Sequence, residues 1–479
     1  MPQYRTALGA VRYCGTSADL KEIFVNDGKD ALISLALALT LLFSTMFVCY
    51  VVCLVIPFLR HRPRPPGDAD DFQWHFFIPC RDEAAVIGAT LAYLRTHFPD
   101  THLWVVDDDS DDATGEITAA RQAEDPYVHL VRRTRPDART GKSDALNAAY
   151  RALAAWLPDG VPFERTVVGV FDADGHPAPG GLAVMAADHL FGDPSVGAVQ
   201  CEVRMGNRDE RRPDPTGGRV RNLLARTLVR MQDLEFRTTT AAVQLARRYT
   251  RTVGMGGNGQ FTRLSAMHAL TENGTGPWRG ALLEDFELGL DLMLDGWRTA
   301  YTTDTWVDQE GLWSLRRLLA QRTRWGQGNM QCTRYLLRVW RSPRLTHSGV
   351  MEISYYLLLP WFQVTASVIF PVATVYFGRG LLLSWGDDFF ANVGWGALVG
   401  VALGIAQFAV WGPIYRRRCE PATGFWRSLG WGLAYTLYIY IFYVTAWRAL
   451  GRIVTGRHQW AKTRRNAELR VDGPTAIEF

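Results

Sequence analysis

Long apolar stretches near both ends of the 479-residue chain enclose a more polar centre. The first, residues 31–58, contains no charged side chain, and as a helix it would reach about 42 Å, against roughly 30 Å for the hydrocarbon layer of a bilayer. Three more lie at 353–377, 393–413 and 429–449. This pattern predicts one N-terminal membrane anchor and a C-terminal block of about three spans.

Arginines beside the apolar stretches indicate the orientation in the membrane. Arg60, Arg62 and Arg64 follow the first stretch, which favours a retained anchor over a cleaved signal peptide. With the 416–418 arginine run, they predict an integral plasma (inner) membrane protein whose residues 60–350 face the cytoplasm. The basic tail conflicts with three full spans. Either one stretch does not cross, or a re-entrant piece lies within 378–393, or the charge rule fails here.

The centre, residues 70–310, reads as an alternating α/β domain. Strand-like runs at 75–79, 102–106, 128–132, 166–171 and 198–204 alternate with helical stretches at 84–96, 113–123 and 143–156. We expect a largely parallel sheet with ligands outside the carboxyl ends of its strands. The predicted order is an N-terminal segment (1–30), an anchor (31–58), the α/β domain (70–310), interfacial helices (311–348), a membrane block (350–450) and a basic tail (451–479).

Composition excludes several classes of function. The mean hydropathy of −0.07 averages a polar domain with very apolar segments. A formal charge of +4, from 52 basic and 48 acidic residues, gives no reason to expect a nucleic-acid partner. The seven cysteines form no CxxC pair, so the sequence indicates neither a disulfide framework nor a zinc site.

Two acidic clusters each follow a predicted apolar strand. The first, residues 107–112, holds five carboxylates in six positions, whose repulsion needs relief from cations, backbone donors or a ligand. We expect helix capping to explain Asp111 or Asp112, and Asp107 to contact a ligand. In the second cluster, Asp172 and Asp174 could share one hard cation with phosphate oxygens, which predicts Mg²⁺ or Mn²⁺.

A third acidic pair opens a helical pattern. Glu284 and Asp285 begin an amphipathic stretch that ends near Gly296. Acidic residues at a helix start are favoured by the helix dipole alone, whereas a partly desolvated carboxylate near substrate could act as a general base. The glycine-rich run at 252–261 would let the backbone approach a ligand, but it lacks the features of a dinucleotide fold or a P-loop.

Gln321, Arg324 and Trp325 fall at i, i+3 and i+4 of a helical pattern, so an amide, a guanidinium and an indole share one side. We call this set the Gln-Arg-Trp face. It could hold a phosphate and a sugar together. A tryptophan near a membrane is also a common interfacial anchor.

Seven motifs in order carry a resemblance to a known family. They read IPCRDEA, VVDDDSDDAT, GKSDALNAA, FDADG, GGNGQFTR, LLEDFELGL and QRTRWGQG. Together with the flanking apolar segments, they resemble the membrane-integrated family 2 glycosyltransferases, which include cellulose, hyaluronan and poly-N-acetylglucosamine synthases. The resemblance covers roughly residues 75–330. It implies a glycosyltransferase A-type, Rossmann-like domain inserted between an N-terminal transmembrane helix and a C-terminal transmembrane block.

The resemblance also implies roles for the nucleotide-binding residues. Cys80, Arg81 and Glu83 occupy the loop that frames the nucleotide base in the family. Asp107 occupies the position that contacts the nucleoside. Lys142 stands where the family often has a basic residue near the donor.

The remaining roles concern the transfer itself. Asp172 and Asp174 match the pair that binds the metal and the donor diphosphate, and Asp285 matches the catalytic base. The Gln-Arg-Trp face matches the motif that holds the diphosphate and lines the acceptor end. Two departures are Asp109, where the family has a small residue, and Leu283, where it usually has threonine. The resemblance thus implies an inverting hexosyltransferase that uses a nucleotide sugar, with a UDP-sugar expected.

Three classes of function stay open on this basis. The expected one is a processive synthase that extends a β-linked polysaccharide and exports it through its membrane block. The alternative is a single transfer to a membrane lipid. Intact Asp174, Asp285 and Arg324 argue against the third, a scaffold with a decayed transferase domain. The segment 458–465, HQWAKTRR, fits either a site-mouth element of processive relatives or an anchor on anionic lipids.

Overall fold

The computed structural model describes residues 38, 41–42, 44–49, 51–271, 276–383, 402 and 404–457. The predicted N-terminal segment, most of the 31–43 part of the anchor, and the 458–465 segment lie outside this range. So do residues 393–401 and 403 of the third apolar stretch and most of the possible re-entrant piece. The described parts of Tyr50–Val364 and Ile405–Phe479 form one compact unit, which holds the sheet and every site discussed below.

Eight strands form one sheet. In chain order they are β1 (Gln73–Cys80), β2 (His102–Asp108), β3 (Val128–Arg133), β4 (Thr166–Val170), β5 (His176–Pro177), β6 (Val196–Met205), β7 (Gln260–Arg263) and β8 (Arg298–Gln309). All five predicted strands are present, each within a few residues of its predicted bounds.

The helices begin with α1 (Ser44–Arg60). Around the sheet lie α2 (Ala84–His97), α3 (Thr114–Glu124), α4 (Lys142–Trp156), α5 (Gly181–Met185), α6 (Arg219–Leu234), α7 (Ala241–Thr250), α8 (Leu264–Ala269) and α9 (Glu284–Asp295). A π-helical turn, Glu235–Thr240, joins α6 to α7. The C-terminal part adds α10 (Leu315–Cys332), α11 (Leu336–Arg341), α12 (His347–Leu383), α13 (Trp411–Arg418) and α14 (Phe425–Val454).

The sheet is mixed, which corrects the expectation of a largely parallel one. Its strand order is β3-β2-β1-β4-β7-β6-β8-β5, with β7 antiparallel to both β4 and β6, and β5 antiparallel to β8. The sequence pattern hid β7 because its polar side chains are buried. Gln260 and Thr262 are each 1% exposed, and the Gln260 amide donates to the Thr262 hydroxyl at 3.2 Å.

Three aromatic rings join β1, β4 and β7 on one side of the sheet. Phe76 packs edge-on against Phe171 at 4.7 Å between centroids, and Phe171 packs against Phe261 at 5.6 Å. Gly169 leaves room for them, because a Cβ there would lie 2.9–3.1 Å from all three rings. This packing fixes β7 beside β4 and so places the 252–259 loop at the carboxyl end of β4.

Two helices in the described part of the chain are long and apolar enough to cross a membrane: the His347–Tyr376 part of α12, and α14. They contain the predicted stretches 353–377 and 429–449. Helix α1 is apolar but shorter. Within the compact unit α13 and α14 pack backbone to backbone at Gly412 and Gly432, where a Cβ on either would collide with main-chain atoms of the other segment.

A histidine cluster lies on β1, β2 and β3. The Trp104 indole donates to His75 Nδ1 at 3.3 Å, and His102 Nδ1 lies 3.0 Å from His129 Nε2. Burial, assisted by the other two histidines, lowers the pKa of His75 to about 3. Burial and His129 lower the pKa of His102 to about 4. The folded protein therefore keeps this cluster neutral.

We predict a loss of stability in mild acid from this cluster. In the unfolded chain a histidine binds a proton below about pH 6.5, whereas His75 in the folded protein binds one only at a far lower pH. Lowering the pH below about 6.5 therefore favours the unfolded state, and the free energy of unfolding decreases. Between pH 6.5 and 5.5 His75 alone should cost roughly 1 kcal/mol. The thermal unfolding midpoint measured against pH tests this. His75→Phe should flatten the slope and the exposed His347→Gln should not; equal slopes in all three proteins would contradict it.

Candidate active site

The loops that follow β1 and β2 are joined to each other at the carboxyl edge of the sheet. The amides of Asp82 and Glu83 donate to the hydroxyls of Ser110 and Thr114 at 3.0 and 2.8 Å. The Asp111 amide donates to the Asp82 carboxylate at 2.8 Å. These hydrogen bonds bring the segment of Cys80, Arg81 and Glu83 next to the acidic cluster, as parallel strands predict.

Within that cluster the carboxylates have different partners. Asp107 is 9% exposed and accepts from the Ser110 amide at 3.0 Å. Only a glycine fits at position 115, where a Cβ would collide with the Asp107 carboxylate. The prediction that Asp111 or Asp112 caps the helix is wrong in detail: the N-cap of α3 is Ala113, without a side-chain cap hydrogen bond, and Asp112, one residue earlier, accepts from the Thr114 amide at 3.0 Å.

Arginines that the sequence analysis did not single out offset the acidic charge. Asp108 pairs with Arg133, and Asp109 and Asp111 pair with arginines of the following loop, Arg135 at 2.7 Å and Arg139 at 2.6 Å. The arginine-rich run at 132–139 was the feature of the sequence that could have indicated these partners. Asp109 has a φ of 61°, a conformation in which a small residue is usual, and its carboxylate also lies 3.1 Å from Arg139.

Lys142, the first residue of α4, connects three of the motifs. Its Nζ lies 2.9 Å from Asp172 Oδ1 and 3.6 Å from Glu284 Oε1, and it donates to the Gly257 carbonyl at 3.2 Å. Burial alone would lower the pKa of Lys142, but Asp172, Glu284 and Asp285 outweigh it and raise that pKa. The ammonium therefore stays charged among the carboxylates.

Asp285 occupies the first turn of α9 and is 8% exposed. Its Oδ1 accepts from the Phe286 amide at 2.6 Å. Burial and the neighbouring Glu284 raise the pKa of the Asp285 carboxyl to about 7, although Lys142 acts in the opposite direction. A carboxyl with a pKa near neutrality can take a proton from a hydroxyl and release it again, which suits a general base.

The turn that carries Asp172 and Asp174 is held by polar side chains from other strands. Asn258 accepts from the Asp172 amide at 3.3 Å and donates to Gln309 at 2.9 Å. Asp174 Oδ2 accepts from the Glu310 amide at 3.1 Å. Asn258 lies in the glycine-rich run but was not predicted as a site residue, because its role depends on β7 lying beside β4 and on Gln309, at the end of β8, reaching its side chain.

The donor set at this turn fits a Mg²⁺ or Mn²⁺ ion. Two carboxylates at i and i+2, with remaining positions for water and phosphate oxygens, are the ligands that such ions take in nucleotide-dependent enzymes. The described part of the chain contains no group of three histidine, cysteine or acidic side chains placed to hold a metal. A cation here would therefore need ligands from the substrate.

The Gln-Arg-Trp face lies on α10. The part of α10 that follows this face contacts the segment before Asp285. A Cβ on Gly328 would lie 2.7 Å from the Leu283 amide nitrogen, so glycine permits this close packing. The Gln331 side chain accepts from the Leu282 amide at 3.1 Å. Gln321, Arg324 and Trp325 are all half-buried. The helix predicted from their spacing is confirmed.

Arg322, beside that face, ties α10 to a membrane-length helix. It pairs bidentately with Glu235 of the π-helical turn at 2.9 and 2.7 Å, and it donates to the Tyr438 hydroxyl on α14 at 3.3 Å. Its guanidinium also lies 4.3 Å from the Trp325 ring centre. Arg322 could not be recognised from the sequence, because only the fold shows that its side chain points away from Gln321 and Arg324 toward a buried partner.

The comparisons with known proteins agree with this arrangement. The family described as "Glycosyltransferase like family 2" matches residues 73–328, more than half of the chain. The chain belongs to this family. It is therefore a nucleotide-sugar-dependent glycosyltransferase, an enzyme of hexosyl transfer.

Individual relatives extend the match beyond that domain. The beta-monoglucosyldiacylglycerol synthase of Synechocystis sp. is 28% identical over 424 residues, covering 84% of this chain and 77% of its own. The synthase of the same name from Trichormus variabilis is 29% identical over 263 residues, 54% of this chain and 49% of its own. This chain thus spans only about half of the second relative.

A solved structure shows the same fold. The mannosyltransferase from Pyrobaculum calidifontis, in complex with GDP-Man and Mn²⁺, superimposes with a TM-score of 0.52 at 17% identity, over 85% of this chain and 98% of its own. The predicted glycosyltransferase A-type α/β fold is confirmed, with the mixed sheet described above.

We predict that Gly257 cannot carry a side chain. A Cβ there would lie 2.9 Å from both Asp285 Oδ2 and Lys142 Nζ, so Gly257→Ala should displace one of them. We expect kcat to fall on the order of 10- to 100-fold, with little change in the unfolding temperature. Gly256→Ala is the matched control, because its Cβ would meet Gln200 only at 3.5 Å. Equal kcat values for the two variants would refute the prediction.

A second prediction concerns pH. If Asp285 is the base, kcat rises as the pH passes through about 7, where its raised pKa lies. Lys142→Met removes the cation that lowers this pKa, so the acid limb should move up by about one pH unit, whereas Lys142→Arg keeps the charge and should shift it less. The pH profile of kcat is the measurement. An unshifted limb in Lys142→Met, or unchanged transfer by Asp285→Asn, would remove Asp285 from this role.

Proposed function

We propose that this enzyme transfers one glucosyl residue from a nucleotide sugar to a membrane lipid with a free hydroxyl, of the diacylglycerol class. The observation that carries the proposal is the match to a relative named for glucosyl transfer to diacylglycerol, which covers 84% of this chain and so includes residues beyond the family-matched domain. This reverses the order of the two acceptor classes expected from the sequence. Polysaccharide synthesis becomes the second candidate.

The packing of α10 agrees with a lipid acceptor. One side of this helix meets the segment before Asp285, and the other meets α14 through Arg322 and Gly326, whose Cβ would lie 3.5 Å from Ala449. A lipid whose hydroxyl lies at the bilayer surface would reach the base along this helix. The half-buried Trp325 offers an apolar surface to the acceptor or to the sugar ring.

The proposed chemistry is a single displacement. Asp285 removes the proton of the acceptor hydroxyl as its oxygen forms a bond to the anomeric carbon, and the bond to the nucleoside diphosphate breaks. The attack inverts the anomeric centre, so an α-linked donor yields a β-glycoside. Gln321 and Arg324 bind the departing diphosphate, for which a planar guanidinium is well suited.

The donor side is assigned to the loops of the other motifs. We assign Cys80, Arg81 and Glu83 to the nucleotide base and Asp107 to the nucleoside, with Lys142 beside the donor. Asp172 and Asp174 would hold Mg²⁺ or Mn²⁺, which supplies positive charge for the leaving diphosphate. Lys142 would release Asp172 to that cation and remain near the phosphates. A UDP-sugar is our first choice of donor.

We further propose that the α/β domain faces the cytoplasm from the plasma membrane. The arginine runs at 60–64 and 416–418 lie at the ends of apolar segments on that side. Nucleotide sugars and the newly formed lipid acceptor are then available on one face of the membrane. The side on which the basic tail lies is left to experiment.

The product separates the two candidates. Purified full-length enzyme in mixed micelles with diacylglycerol should convert radiolabelled UDP-glucose into an organic-extractable lipid with one sugar, whose linkage is β by NMR. UDP-galactose, UDP-N-acetylglucosamine and GDP-mannose test the donor, and Asp285→Asn is the inactive control. We expect EDTA to stop transfer and Mg²⁺ or Mn²⁺ to restore it.

One result would overturn the acceptor assignment, and another would overturn the metal assignment. Label recovered in an ethanol-insoluble polymer instead of the organic phase would favour the polysaccharide candidate. Full activity in excess EDTA would remove the metal from Asp172 and Asp174 while leaving the acceptor assignment intact.

A further inference from the structure

Helix α6 presents an apolar stripe to the outside of the compact unit. Val220, Leu223 and Leu224 are 72%, 54% and 66% exposed. At about 3.6 residues per turn they share one side of the helix. Such a stripe on a water-facing helix would expose apolar surface at a continuing cost in free energy, unless something covers it.

The opposite side of α6 is fixed to the protein. Ala225 and Val229 are buried there. Asn222 accepts from the Asp214 amide at 3.1 Å and donates to the Asp214 carbonyl at 2.9 Å, which holds the start of the helix against the preceding loop. The stripe therefore cannot turn inward without breaking buried contacts.

Arginines border the stripe on both sides. Arg219 and Arg221 flank Val220, about 100° to either side of it, and Arg226 lies on the same border as Arg219. Arg221 pairs with Asp214 at 2.5 Å, yet its side chain is 64% exposed. Arg219 and Arg226 form no ion pair with any described residue. Apolar side chains with arginines on both borders are the pattern of a helix that lies in a membrane surface.

The C-terminal half of α6 adjoins the membrane-length helix α14. Arg230 donates to the Tyr415 hydroxyl at 3.1 Å, and its guanidinium lies 5.0 Å from the ring centre of Trp431, in the second turn of α14. Phe425 and Trp426, which begin α14, are 50% and 80% exposed, as aromatic residues at a bilayer surface would be. The helix that carries the stripe thus packs, through its C-terminal half, against the helices expected to meet the membrane.

We propose that α6 is an interfacial helix: Val220, Leu223 and Leu224 enter the headgroup region of the bilayer, and Arg219, Arg221 and Arg226 bind the phosphates of anionic lipids. The occupant is the membrane surface itself rather than a second protein. The inference requires α14 to cross the membrane, but it does not depend on which acceptor the enzyme uses.

Depth-dependent fluorescence quenching tests the stripe. With Cys14, Cys49 and Cys53 replaced by serine, Leu224→Cys is labelled with bimane in the full-length enzyme in lipid nanodiscs. We expect acyl chains carrying bromine to quench this label about twofold, because the apolar side of an interfacial helix lies roughly 5–10 Å below the surface. Ala155→Cys, exposed on α4, is the matched control and should not be quenched.

A second comparison tests the arginines. Replacing about one third of the phosphatidylcholine by phosphatidylglycerol should increase quenching at Leu224→Cys at low salt, and Arg219→Gln with Arg226→Gln should abolish that increase. Donor hydrolysis by each labelled variant confirms folding. Equal quenching at positions 224 and 155 would overturn the proposal. So would disulfide-linked dimers through Leu224→Cys with the same fluorescence in both lipids, since they would assign the stripe to a second copy.

Discussion

The charge of Lys142 among three carboxylates is the interaction on which the site depends. Asp172, Glu284 and Asp285 come from two segments more than 100 positions apart, and without a cation between them their repulsion would open the site. The lysine also bonds the Gly257 carbonyl, which holds the glycine-rich run against both segments. Burial nevertheless raises the pKa of Asp285 to about 7. The same arrangement therefore places a carboxyl suited to act as a base beside Asp172, a carboxylate suited to bind a metal.

Helix α10 links this site to the membrane-length helix α14. Glycines at 326 and 328 let its two sides approach α14 and the start of α9, so the Gln-Arg-Trp face is positioned by backbone contact rather than by long side chains. The buried pair of Arg322 and Glu235 then holds the helix in that position. A buried ion pair of this kind gives little net stability, but removing one partner is costly, which favours a single arrangement.

Much of this was accessible from the sequence. The five predicted strands, the helix that carries Gln321 and the proximity of the loops that follow β1 and β2 could be expected from periodicity and from the geometry of parallel strands. The polar strands β7 and β8 did not, because their buried side chains are satisfied by partners elsewhere in the chain. Asn258 and Arg322 were missed for the same reason, since neither has a local pattern that reveals its distant partner. The roles of the site residues remain predictions.

The sequence by itself determined the family, the apolar segments and the chemical groups available for transfer, because these depend on residue type and on short spacings. Only the tertiary structure decided which groups meet. It placed Lys142 against Asp172 and Glu284, set Gly257 where no side chain fits, and left the stripe on α6 uncovered. These three features depend on contacts between segments that are far apart in the chain. The packing of the mixed sheet and of α10 sets the distances between those segments, and no local sequence pattern encodes that packing.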